Sequence, residues 1–110
     1  MSAKVLAVTN NVNGGATYDL DAAGARLAIE FYRGDPDAGE PAWRADITFV
    51  AEEVIIGGEG VNVHAAFMAA ASREDVAVHQ VPLPAVAWSD VDRALGDAGA
   101  FRSVDGPAAG

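Results

Sequence analysis

Two nearby segments alternate apolar and polar side chains with a period of two, and they constrain the fold more than any other feature. In "ARLAIEFYR" (25–33), Leu27, Ile29 and Phe31 fall on one side, with Ala28, Glu30 and Tyr32 on the other. In "AWRADITFV" (42–50), Trp43, Ala45, Ile47 and Phe49 stand opposite Arg44, Asp46 and Thr48. Successive side chains of a strand point to opposite faces, so each segment reads as a half-buried antiparallel strand with one face in water. A helix running from Asp21, with Leu20, Leu27 and Phe31 on one stripe, is the competing reading. Gly24 and the adjacent aromatics Phe31 and Tyr32 weigh against it.

The flanking sequence extends this pattern. "KVLAVTNNV" (4–12) and "ATYDL" (16–20) have strand composition, and the Asn13–Gly14 pair between them is a strong hairpin signal. Asp21–Gly24 is a second turn, and the proline- and glycine-rich Gly34–Pro41 is a loop. "HAAFMAAASRED" is the best helical stretch, with Val63, Phe67 and Ala70 on one face and Asn62 as N-cap. Val76–Val81 returns to strand composition, and "PLP" (82–84) is extended. Ser89 and Asp92 have the spacing of a capping box, with Trp88 placed as a hydrophobic staple before it. The helix they open stops near Gly96 or Gly99. Strands first and helices later predict an α+β domain: a mostly antiparallel meander of 3–5 strands with two helices packed on one face. Residues 1–102 form one domain on this reading, and 103–110 a flexible tail.

"VIIGGEGVNVHAAFMAAAS" (54–72) poses the functional question. An apolar run, then Gly57, Gly58 and Gly60, then a helix, is the order of a strand, a phosphate-binding loop and a helix N-terminus. The candidate binding residues are therefore Gly57, Gly58, Gly60 and His64. The full motifs are absent. Val63 holds the third glycine position of G-x-G-x-x-G, no lysine follows, and Glu59 places a negative charge inside the would-be cradle. A tight turn, either a hairpin across Gly57–Gly60 or the entry to the helix, explains the glycines by backbone geometry alone.

Other chemistry has little to draw on. The chain has no cysteine, which removes disulfides and thiolate chemistry and suits a cytoplasmic protein. The two histidines, His64 and His79, lack metal-ligand spacing. Neither a G-x-S-x-G motif nor a carboxylate dyad is present; the adjacent Glu52 and Glu53 suit a strand end at the surface. No metal, cofactor or catalytic residue is expected, and no run is apolar enough for a membrane helix. The many alanines suggest a GC-rich bacterial genome as the source. With a net charge of −9, the chain repels nucleic acid and anionic membranes and favours a basic partner. The expectation is a small, acidic, non-catalytic protein-binding domain. The alternatives are a small-ligand or anion binder, or minor enzyme, using the Gly57–Gly60 stretch and His64, or a homo-oligomer pairing its sheet edges.

Overall fold

The computed structural model describes residues 3–11, 14–73 and 83–101. Five strands follow one another as an antiparallel meander: β1 (Ala3–Asn10), β2 (Ala16–Ala22), β3 (Ala25–Arg33), β4 (Trp43–Phe49) and β5 (Val54–Gly60). Two helices, α1 (Val63–Ala71) and α2 (Trp88–Asp97), pack on one face of the sheet. The α+β architecture expected from the alternating segments is therefore the one observed. The expected strand 76–81, His79 and the 103–110 tail lie outside the described residues, as do Val12 and Asn13 of the first hairpin.

The alternation sorts the side chains as the period of two requires. Leu27, Ile29 and Phe31 of β3, and Trp43, Ala45, Ile47 and Phe49 of β4, are all buried. Arg44, Asp46 and Thr48 face the open side. Register then stacks the inner residues into rows across the sheet. One row runs Leu20–Leu27–Phe49–Val54 and the next Tyr18–Ile29–Ile47–Ile56. The third, Ala16–Phe31–Ala45–Gly58, loses bulk toward β5, and beside it Trp43 pairs with Gly60. The space left by the small residues receives α1.

Helix α1 forms because alanine dominates it and because Asn62 caps it, its side chain accepting from the Ala65 amide at 2.8 Å. It buries Val63, Ala66, Phe67, Ala70 and Ala71 against β4 and β5. Full burial of a side chain such as Phe67 is worth about 1.5–3 kcal/mol. Helix α2 lies toward β1 and β2 and buries Val91 and Leu95. Trp88 and Phe101 link the layers: Trp88 meets Phe49 and Phe67 edge-on at centroid distances of 6.2 and 6.1 Å, and Phe101 meets Phe31 and Phe67 at 6.2 and 5.7 Å.

The ends of the elements separate met expectations from corrections. Helix α2 stops as expected at Gly99, which takes a left-handed φ of 86°. The Gly99 amide donates to the Gly96 carbonyl at 3.0 Å and the Ala100 amide to Leu95 at 2.9 Å, a Schellman motif. Its start differs from expectation. The N-cap is Ala87, which makes no side-chain capping bond, and Trp88 is already helical. Ser89 therefore does not cap α2, and the capping box is not made; Asp92 is held by His64 instead. The β2–β3 turn falls inside the expected Asp21–Gly24, with Ala23 and Gly24 both at positive φ and the Asp21 carboxylate accepting from the Gly24 amide at 2.8 Å.

Candidate functional site

The glycine cluster is neither a loop nor a hairpin tip. Strand β5 runs straight through Gly57, Gly58 and Gly60, and the chain turns only at Val61 and Asn62 to enter α1. The hairpin reading is thus corrected and the helix-entry turn is moved past the glycines. The reason is close packing rather than backbone freedom. A β-carbon on Gly58 would lie 2.7 Å from the Ala66 carbonyl oxygen and closer still to the Ala70 amide. On Gly60 it would lie 2.6 Å from the Ala65 β-carbon and the Ala66 amide nitrogen. Only strand positions without side chains let the α1 backbone come so near. No loop-shaped cradle forms at 57–60, because the segment is extended strand and α1 covers its inner face.

Gly57 faces the other way, onto the open face of the sheet. There β4 and β5 present a connected polar group. Arg44 Nη1 meets Glu59 Oε2 at 3.3 Å, across the register pair. The Arg44 guanidinium lies 5.8 Å from the centre of the Tyr32 ring, and the Tyr32 hydroxyl donates to Asp46 Oδ2 at 2.8 Å. Burial, and then the hydrogen bond and charge of Asp46, push the Tyr32 phenol above its ordinary range. Arg44 Nε is buried with no partner among the described residues. From behind β5, Arg73 Nη1 reaches the Gly57 carbonyl at 3.4 Å. Together Arg44, Asp46, Ile55, Glu59, Ala69 and Arg73 line a groove of about 610 Å³ along the β5 edge.

His64 stands in the first turn of α1, half exposed, with Nε2 at 2.8 Å from Asp92 Oδ2 of α2. Its ring meets Phe101 at a centroid distance of 4.6 Å. A histidine on a carboxylate is two-thirds of a nucleophile-activating triad. Among the described residues no serine or threonine hydroxyl bonds to His64, and the pair ties α1 to α2. No group of three or more histidine, aspartate or glutamate side chains with metal-holding geometry occurs among the described residues. Glu52 and Glu53 lie in the β4–β5 turn, Glu53 at a φ of 59°. Among the described residues no helix is long and apolar enough to cross a membrane.

Sequence reasoning placed Gly57, Gly58, Gly60 and His64 close along the chain, but the fold does not gather them: Gly58 and Gly60 pack against α1, Gly57 faces the open side, and His64 turns to Asp92 and Phe101. That reasoning missed Arg44, Tyr32, Asp46 and Arg73, whose proximity depends on strand register and on where α1 ends. The alternation did put Arg44, Asp46 and Tyr32 on the open face, which was the available signal. No protein-family model, curated protein or solved structure matches this chain.

Proposed function

We propose that the domain is a non-catalytic binding module of the cytoplasm that takes an extended, basic segment of another protein as an added strand along β5. The supporting observation is the contrast between the two sheet edges. β1 carries common safeguards against stray pairing: a register shift between Val5 and Ala7, and a lysine at position 4. β5 carries none of them. Its register with β4 is continuous from Val54 to Gly60, and it contains no proline or lysine. Among the described residues no strand lies beyond it.

The Gly57 carbonyl gives the direction of the free groups. It points away from β4, toward Arg73, so the backbone groups two residues away at Ile55 and Glu59 point the same way. The Arg73 contact is long for a hydrogen bond and is readily displaced. Strand addition takes its affinity from such backbone groups and its specificity from alternate side chains. Here Ile55, 58% exposed, is an apolar anchor; Asp46 and Glu59 in the groove are balanced by Arg44 and Arg73, and the excess negative charge comes from Glu52 and Glu53 in the adjoining β4–β5 turn and from the chain as a whole. A segment alternating apolar and basic residues fits that lining and the net charge of −9.

The test is calorimetric titration with two synthetic octapeptides, one alternating lysine and valine and one alternating glutamate and valine. The basic peptide binds, and amide exchange slows at residues 55–59. Ile55→Pro removes one outward amide without touching the β4 ladder and abolishes binding. Equal binding of both peptides, or unchanged binding by a folded Ile55→Pro variant, sinks the proposal. Self-pairing of β5 would appear instead as a dimer in light scattering.

A further inference from the structure

A second site lies at the opposite side of the core, where the inner rows of the sheet end. The third row closes on Ala16, and Ala16 pairs with Asn10 of β1. Neither fills the space beside the large rings of their neighbours. The result is a cavity of about 320 Å³, walled by Tyr18, Phe31 and Trp43 and faced by Val63 and Ala100. That is the room of about ten waters at ~30 Å³ each, and the lower bound of ordinary small-molecule pockets at roughly 300 Å³. Asn10 and Asn11 stand at its polar rim.

Three observations define what such a cavity takes. The first is its apolar, aromatic wall: Tyr18 is 7% exposed, Phe31 2% and Trp43 3%. Tyr18 and Phe31 meet edge-on at 5.9 Å. Flat rings offer large contact areas at little entropic cost, and they select planar ligands. The second is hydrogen-bonding capacity. The Tyr18 hydroxyl and the Trp43 indole N–H have no protein acceptor among the described residues, and neither is cut off from solvent, so both remain available as donors. Burial also raises the Tyr18 phenol above its ordinary range, so it stays protonated and remains a donor. The rim asparagine is by contrast engaged: Asn11 donates to the Phe31 carbonyl at 3.3 Å and accepts from Thr17 at 3.2 Å.

The third observation is charge. The described lining has no ionisable group other than the Tyr18 phenol. The Arg33 guanidinium lies 4.9 Å from the centre of the Trp43 ring, which disfavours a cation against that wall. The net charge of −9 disfavours an anion.

We infer that this cavity is a binding site for a neutral, planar aromatic molecule carrying a hydrogen-bond acceptor, held between Tyr18, Phe31 and Trp43 with its acceptor on the wall donors. The site is separate from the β5 edge and does not depend on the strand-addition reading.

Quinoline and naphthalene test this directly, since they share a shape and differ by one acceptor nitrogen. Benzoate and phenyltrimethylammonium supply the charged controls. Titration of the full ¹⁵N-labelled chain with quinoline moves the amide signals of Gly15, Tyr18, Val63 and Ala100 and the Trp43 indole signal, and leaves those of residues 55–59 in place. Quinoline binds more tightly than naphthalene and than either charged probe. Tyr18→Phe weakens quinoline about fivefold, the worth of one net hydrogen bond, and leaves naphthalene unchanged. Ala16→Leu, which fills the cavity from its small wall, abolishes both, with folding checked by its melting curve. Unmoved cavity signals at millimolar quinoline overturn the inference. So do equal affinity for the two neutral probes, a preference for a charged one, or undiminished binding by folded Ala16→Leu.

Discussion

Gly58 lies directly beneath Ala70: a β-carbon on the glycine would enter the space of the Ala70 amide nitrogen and stand 2.7 Å from the Ala66 carbonyl. The strand and helix backbones therefore meet with no side chain between them. Gly58→Ala must push α1 off the sheet, at a cost of about 2–3 kcal/mol, the upper range for overpacking. Gly57→Ala meets chiefly the Asp46 carboxylate, at 2.9 Å, which can swing aside, and costs less than about 1 kcal/mol. Urea denaturation of the two variants measures the difference. Equal midpoints would contradict the close-packing account of the glycine cluster.

Ala23 holds a left-handed φ of 54° in the two-residue β2–β3 turn, where asparagine or glycine is the favoured residue. An alanine in that region carries about 1–2 kcal/mol of strain. Ala23→Asn should stabilise the domain by about 1 kcal/mol, raising Tm by about 4 °C for a chain of this size. Calorimetry checks it; a Tm at or below that of the parent contradicts the turn geometry.

The two candidate caps make opposite predictions. Asn62→Ala removes the bond to the Ala65 amide and costs about 1 kcal/mol. Ser89→Ala removes no capping bond and falls within about 0.5 kcal/mol of the parent. Chemical denaturation distinguishes them, and a costly Ser89→Ala would restore the capping box.

Tyr18 and Tyr32 both have phenol pKa values raised above the ordinary value of about 10, Tyr18 by burial and Tyr32 by burial and then by Asp46. The folded chain thus binds these protons more tightly than the unfolded chain does. Their contribution to stability is whole below the unfolded value and drains away as pH rises through the folded values. Urea midpoints should hold steady with respect to these groups up to about pH 9 and fall steeply above about 10. Tyr32→Phe should flatten part of that fall, and an unchanged alkaline slope in the variant removes Tyr32 as a cause.

The His64–Asp92 pair joins the helices at 2.8 Å but is about half solvated. Exposed polar pairs are worth little, so a double-mutant cycle with His64→Ala and Asp92→Ala should give a coupling of about 0.5 kcal/mol. A coupling several times larger would show that the pair, rather than the Trp88 and Phe101 contacts, fastens α1 to α2.

What could be read from the sequence was what neighbours in the chain decide. Strands β3 and β4, their inner residues, the Asn62 cap and the Gly99 stop all follow from side-chain period or from local capping chemistry. The glycine cluster misled because its cause is a helix that arrives from the other side of the contact, and a turn and a close approach demand the same residue. Ser89 misled because α2 begins one residue before it, at Trp88 with Ala87 as N-cap, and Asp92 bonds His64, 28 positions away. The Arg44–Glu59 pair needs the β4–β5 register. The aromatic cavity draws its walls from separate strands and both helix ends, so no stretch of chain announces it.

The bare contact between β5 and α1 has a mechanical consequence. Interlocking side chains act as teeth that resist sliding as well as separation. Glycine against alanine is a smooth track, which sets how near the helix comes but not where it stops along the strand. Its longitudinal position is left to the two ends of the contact: Asn62 at the entry, and Phe67 wedged between Trp88 and Phe101. Truncating Phe67 would therefore release an axial shift of the helix as well as hollow the core.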